Sequence, residues 1–295
     1  MTDQRVCQTK AMSGISTGME YTEGKFTGHR NLNLYYQCWL LDRCPKAVLV
    51  IAHGLAEHCG RYANLVNYFV PRDYAIFSFD QRGHGKSEGL RGHVERFSDY
   101  LSDLDTFLNL VRLKCGDARI FLIGHSMGGT IATAYAVEHQ DALAGLVVSG
   151  AVLKVNSNVP PSAIAVSQVL SVLLPKTGVM TLDASALSRD EAVVDAYRGD
   201  PLVYRDKIRA RLGVELMKAM ESLERQMPRV KLPTLIMHGT ADRLSPPAGS
   251  QMLYQRLGSS DKTLKLYDGF YHEIFNEPGH QQVLADLETW LASHV

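Results

Sequence analysis

The stretch Ile120-Phe121-Leu122-Ile123-Gly124-His125-Ser126-Met127-Gly128-Gly129 joins an apolar run to a small-residue helical pattern, Thr130 to Val137. A run of four apolar residues bounded by glycine predicts a strand buried on both faces. The small residues that follow predict a helix packed close against it. Between them lies G-x-S-x-G, the spacing that sets a serine on a sharp, strained strand-to-helix turn. Side chains at 124 and 128 would collide with neighbouring backbone, which is why both positions are glycine. Such a turn lifts the Ser126 hydroxyl above the sheet, at a helix N-terminus whose dipole favours developing negative charge. Ser126 is therefore the candidate nucleophile.

Outward from this point the pattern repeats. Apolar runs at 47–52, 75–79, 146–148, 235–237 and 264–267 are bounded by Gly, Asp or Pro. Between them lie stripes at helical spacing: Tyr62, Leu65, Val66 and Phe69; Phe97, Tyr100, Leu101, Leu104, Leu108 and Val111; Val283, Leu284, Leu287, Trp290 and Leu291. Strand–helix alternation of this kind gives an α/β fold with a mostly parallel central sheet flanked by helices. Upstream, Leu32, Leu34, Tyr36, Cys38 and Leu40 alternate with polar residues and predict a half-exposed strand in an antiparallel pair. The alternation breaks over residues 152–228, where Val159-Pro160-Pro161 and an uncharged stretch, 155–175, precede the charged helical pattern 205–226. Strand-like runs resume at Leu235. Residues 152–228 thus read as a helical cap inserted into one core domain formed by 1–151 and 229–295.

Composition narrows the function. Lys plus Arg and Asp plus Glu are 31 each, so there is no basic excess to neutralise phosphates, and a nucleic-acid partner is not expected. No apolar run approaches the roughly 20 residues that span a bilayer, and residues 1–10 carry no apolar signal segment. The five cysteines, Cys7, Cys38, Cys44, Cys59 and Cys115, form no CxxC, and their odd number argues against a disulfide framework or a cysteine metal site. No HExxH occurs among the histidines. Neither a cofactor nor a metal is expected, and the expected location is cytoplasmic.

A serine nucleophile needs a base, and the base an orienting carboxylate. In sheets of this kind they follow in the order Ser, Asp/Glu, His, at the carboxyl ends of later strands. After the run 235–237 comes His238-Gly239-Thr240-Ala241-Asp242, and after 264–267 comes Asp268-Gly269-Phe270-Tyr271-His272. Asp242 and His272 are the expected acid and base; His238 and Asp268 are the alternatives. The oxyanion needs two fixed N–H donors. Met127, next to the serine, supplies one, and Leu55, in the loop His53-Gly54-Leu55-Ala56-Glu57-His58, the other. The Gly-rich segment 80–87 lacks the P-loop spacing and reads as a turn bracing the site.

These pieces together resemble the monoacylglycerol lipase family of α/β hydrolases. The resemblance rests on HGLAEHCGRY (53–62), FDQRGHGKSEG (79–89), GHSMGG (124–129), ALSRDEAVVDAYRGDPL (186–202), GTADRL (239–244) and KTLKLYDGFYHEIFNE (262–277). It implies the α/β-hydrolase fold with a helical cap, and a serine hydrolase that cleaves the ester of a monoacylglycerol to glycerol and fatty acid. Family members often have a small residue where Leu55 stands and glycine where Ala56 stands, which bears on pocket width beside the oxyanion. The family's glycerol-end polar groups fall on Glu57, Arg61 and Tyr197. An i,i+4 pair at a helix start would equally explain Glu57 and Arg61, and cap packing would explain Tyr197. On the uncharged segment Ala163, Val166, Val169, Leu170, Leu173 and Leu174 share one helical face. That face would lie in a membrane or micelle surface, line an acyl tunnel, or pack on the core. Lysophospholipase and broad carboxylesterase activities remain as alternatives. An inactive binding protein of this fold would be expected to have lost a triad member, and none is lost.

Overall fold

The computed structural model describes residues 19–155 and 160–295. Residues 1–18 and 156–159, with Cys7, the segment 1–10 and Val159, lie outside them. The strands are β1 (Met19–Thr27), β2 (Asn33–Leu41), β3 (Ala47–Ala52), β4 (Tyr74–Phe79), β5 (Ile120–His125), β6 (Gly145–Ser149), β7 (Gly178–Met180), β8 (Ile208–Arg209), β9 (Thr234–Gly239) and β10 (Lys262–Tyr267). The helices are α1 (Ala63–Phe69), α2 (Ser98–Cys115), α3 (Met127–His139), α4 (Pro161–Leu173), α5 (Glu191–Gly199), α6 (Ala210–Gln226), α7 (Pro247–Arg256) and α8 (His280–Ala292).

Eight strands form one sheet in the order β1-β2-β4-β3-β5-β6-β9-β10. From β4 to β10 every neighbouring pair is parallel; only β1 with β2 and β2 with β4 are antiparallel. β3 to β6 and β9 are buried along their whole lengths, so their sequences are apolar without alternation. Within β3 the two-residue period still sorts the side chains. Val48 and Val50 join the apolar cluster under α2, α3, α6 and α7, while Ala47, Leu49 and Ile51 join the cluster under α1 and α8. Helices therefore cover both faces, as the strand–helix alternation implies.

Between β6 and β9 the chain forms α4, α5, α6 and the short antiparallel pair β7–β8. Leu212, Leu216, Ala219, Met220 and Leu223 of α6 share the apolar cluster of α2 and α3, so α6 packs into the sheet's core, while Leu187, Tyr197 and Val203 form a small cluster of their own. α4 packs on α6 with its small-residue side. Ser171 is buried there, whereas Val166, Val169, Val172, Leu173 and Leu174 are 57–71% exposed. Core packing of that apolar face is thereby ruled out, and its residues point to solvent. Among the described residues no helix is long and apolar enough to cross a membrane.

Phe107 of α2 is fully buried against the rings of Phe26, Tyr36, Phe77 and Phe79, and so ties that helix to the antiparallel edge of the sheet. Phe107→Ala is expected to cost about 3–5 kcal/mol of stability, measured as a lowered urea midpoint at unchanged slope.

Candidate active site

β5 ends at His125 and α3 begins at Met127, so Ser126 alone makes the change of direction, with φ 54° and ψ −121°. Strain of this kind costs on the order of 1–3 kcal/mol and persists only where the surroundings enforce it. Here the Ser126 N–H donates to the Ser149 carbonyl of β6 at 2.9 Å, and the Ser126 carbonyl accepts from the Gly129 and Thr130 amides at 2.9 and 3.2 Å. A Cβ at Gly124 would sit 2.4 Å from the Gly128 carbonyl oxygen, and one at Gly128 2.0 Å from that of Ala52. The two glycines are thus fixed by backbone contact on either side of the serine.

Asp242 follows β9 and His272 follows β10, both at strand carboxyl ends. His272 Nδ1 donates to Asp242 Oδ2 at 2.7 Å. That places the proton of the neutral ring on Nδ1 and leaves Nε2 as an acceptor. Asp242 Oδ1 accepts from the Leu244 and Ser245 amides at 2.8 and 3.0 Å. Burial alone would push the Asp242 carboxyl up, but His272 and His238 beside it hold it well below the usual carboxylate range. His272 is the mirror case: burial lowers it, the Asp242 charge and hydrogen bond outweigh burial, and it ends above the ordinary imidazole value of 6.5.

Of the alternatives, His238 is buried with Nε2 3.0 Å from the same Asp242 oxygen, and its Nδ1 accepts from Ser250 Oγ at 2.7 Å; it does not line the cavity. Asp268 is exposed and bonds Thr240 Oγ1 at 3.1 Å. Ser126 and His272 line one cavity of about 100 Å³ together with Leu55 and Met127. Within the described residues no backbone hydrogen bond uses the Leu55 or Met127 amide.

The glycerol-end candidates divide. Glu57 and Tyr197 line the cavity, and Arg61 lies behind them. Arg61 Nη2 donates to both oxygens of Glu273 at 2.8 Å, its Nε is 3.5 Å from Glu57 Oε2, and its guanidinium lies 4.8 Å from the Tyr197 ring centre. Arg61 is thus a bracket for Glu57, Glu273 and Tyr197 rather than a wall of the pocket. The Glu57–Arg61 pair spans a loop and a 3₁₀ turn before α1, not a helix start. Glu57 Oε1 accepts from the Gly54 amide at 2.6 Å and from Tyr62 Oη at 2.8 Å. Burial, then the nearby Glu273 charge, raises the Glu57 carboxyl. Glu273 itself lines the cavity and is not singled out by the sequence reading; its one signal is its place directly after His272. The apolar wall comes from Val152, Met180, Leu182, Leu187, Leu216 and Leu244. No residue of α4 contributes, so the expectation of an acyl tunnel along 163–174 fails, because that face turns outward.

The segment 80–87 braces this loop as expected. Asp80 accepts from the Cys59 and Lys86 amides at 2.8 and 2.7 Å, and the Gln81 amide donates to His53 Nε2 at 2.9 Å. The insertion grips the loop from the other side. Tyr204 N–H donates to the Ala56 carbonyl at 2.9 Å, and His58 Nε2 lies 2.8 Å from Asp200 Oδ2.

A family model described as serine aminopeptidase, S33, matches residues 43–279. A monoacylglycerol lipase of Mycolicibacterium smegmatis is 37% identical over 274 residues, 93% of this chain and 98% of that protein. The chain belongs to the monoacylglycerol lipase family of α/β hydrolases. A monoglyceride lipase of Rattus norvegicus is 35% identical over 89% of this chain and 88% of its own. The crystal structure of Paleococcus ferrophilus monoacylglycerol lipase matches with a TM-score of 0.79 at 32% identity, covering 94% of this chain and all of that one.

Against the family's habit of glycine there, Ala56 carries a side chain at φ 67°, in the left-handed region that glycine enters freely. The Tyr204 bond to its carbonyl and the Glu57 bond to Gly54 hold that peptide in place.

Gly128→Ala drives a methyl into the Ala52 and His53 carbonyls. It is expected to cost at least about 1–3 kcal/mol. Gly213→Ala, inside α6 with nothing within 4 Å of the added carbon, should instead stabilise by about 1 kcal/mol. Urea unfolding of both variants checks the contrast.

Proposed function

We propose that this chain hydrolyses monoacylglycerols to glycerol and a free fatty acid, through an acyl-enzyme on Ser126. The 2.7 Å His272–Asp242 bond, beside a cavity that also takes in Ser126, carries the reading. Its substrate comes from the likeness to the monoacylglycerol lipases named above.

In this reading Ser126 Oγ attacks the ester carbonyl and His272 Nε2 takes its proton. The Leu55 and Met127 amides receive the oxyanion. Collapse expels the glycerol oxygen, which takes the proton back from His272. A water, deprotonated by the same ring, then releases the fatty acid and restores Ser126. Asp242 fixes the tautomer and stabilises the imidazolium. The diol faces Glu57 and Tyr197, which Arg61 and Glu273 hold in place, and the acyl chain follows the wall from Val152 to Leu244. That polar end offers no apolar surface to a second acyl chain, so triacylglycerol is a poor substrate.

Residues 152–228 act as the cap of one core, and the outward apolar ridge of α4 seats the protein peripherally on membrane or micelle surfaces. The free thiols Cys44, Cys59 and Cys115 suit a reducing, cytoplasmic setting.

The test is a hydrolysis panel of mono-, di- and triacylglycerols of several chain lengths, a lysophospholipid and a soluble acetate ester. Monoacylglycerol is expected fastest. Ser126→Ala should lose about 10⁴–10⁶ in rate, with a phosphonate labelling Ser126 in the unmodified chain. Faster turnover of the lysophospholipid, or labelling at another serine, overturns the assignment.

The pH profile tests the base. Only neutral His272 accepts the Ser126 proton, so kcat/KM rises with pH as the ring loses its charge. Since Asp242 lifts His272 above 6.5, the midpoint of that limb should lie above 6.5. Asp242→Asn should shift it downward and slow the reaction by up to about 10⁴. An unshifted limb would assign the titration to another group.

A further inference from the structure

A second depression opens at the foot of the insertion, a cleft of about 550 Å³ between the 89–91 loop and residues 201–209. Arg91, Arg205 and Arg209 line it, with Asp206 as the one carboxylate in the lining. All three guanidinium groups are spent on main-chain carbonyls. Arg91 bonds those of Gly85 and Leu202, Arg205 that of Arg198, and Arg209 those of Arg91 and Lys176. None of the three forms an ion pair within the described residues. Their charges are thus fixed in position and outnumber the one carboxylate of the lining, the arrangement that receives a phosphate or carboxylate from outside.

The cleft adjoins the apolar ridge. Arg209 Nη1 donates at 2.6 Å to the carbonyl of Lys176, two residues beyond Leu174. Lys176 and Lys207, both exposed, add positive charge at the same place. The cavity of the active site is close by as well. Met180, which lines it and is 48% exposed, pairs with Ile208, the neighbour of Arg209. Apolar ridge, arginine cleft and cavity wall therefore meet around the β7–β8 pair.

We propose that the arginine cleft receives the phosphate of an anionic phospholipid headgroup, so that the insertion docks on negatively charged bilayers with the α4 ridge in the interface. This rests on the peripheral seating argued above and specifies its lipid. A chain of zero net charge has no bulk attraction to an anionic surface; the local excess supplies it. Each basic side chain at such a surface raises partition about fivefold.

The experiment measures co-sedimentation of the full chain with phosphatidylcholine vesicles, and with vesicles in which about one third of the lipid is phosphatidylglycerol. The proposal expects at least about fivefold tighter partition on the anionic vesicles, a preference removed by high salt. Arg205→Gln and Lys176→Gln should each lower anionic partition about fivefold and leave neutral partition and hydrolysis of a soluble ester unchanged. Val169→Ser with Leu173→Ser should weaken both partitions, which isolates failure of the ridge from failure of the cleft. Equal partition on the two compositions, or an Arg205→Gln variant with undiminished anionic preference, overturns the proposal. So does inorganic phosphate that raises the melting temperature of the unmodified chain but not of Arg205→Gln while vesicle charge has no effect; the cleft would then take a soluble anion.

Discussion

The backbone of α3 comes so close to the Ala52 carbonyl that residue 128 has room for hydrogen only. From that contact the other positions of the site follow. It brings the first turn of α3 to the end of β3, beside the loop that carries Leu55. It forces the left-handed turn at Ser126 and ties that residue to Ser149 on β6. Parallel strands β6, β9 and β10 then set the loops bearing Asp242 and His272 along the same edge. The strain at Ser126 is small beside the burial of the whole sheet, so the fold tolerates it.

Two buried acidic centres flank the cavity and are solved differently. Asp242 is satisfied by two backbone amides and two imidazole rings, and stays ionised. Glu57 and Glu273 share the single guanidinium of Arg61, and Glu57 is pushed toward protonation.

Much of this was legible before any coordinates. The run 47–52 coincides with β3, and the other apolar runs fall inside their strands; those of β3 to β6 and β9 do so because strands buried on both faces write themselves as apolar blocks. β1 escaped, since most of its side chains face solvent and include Glu20, Glu23 and Lys25. β7 and β8 are too short to show a period. Asp242 and His272 could be found from chain order, and they do meet. Glu273 could not, because its place in the cavity comes from the loop after β10 and its partner Arg61 lies 212 residues away. For α4 the apolar face was legible, but its direction was open among a membrane surface, an acyl tunnel and the core, and it turns outward. Periodicity tells which residues share a side, and the choice of side fell to Ser171, small enough for α6 to approach.

The double fastening of the insertion to the loop 53–62 has a mechanical consequence. Tyr204 holds the Ala56 carbonyl, and Asp200 holds His58. Lifting this side of the insertion would strip a buried carbonyl of its donor, at about 1–3 kcal/mol, and part the His58–Asp200 hydrogen bond as well. The same pull would reach the Leu55 amide across a single residue. The insertion is therefore stiff as a lever where it meets that loop, and any displacement of it there is felt at the rim of the cavity.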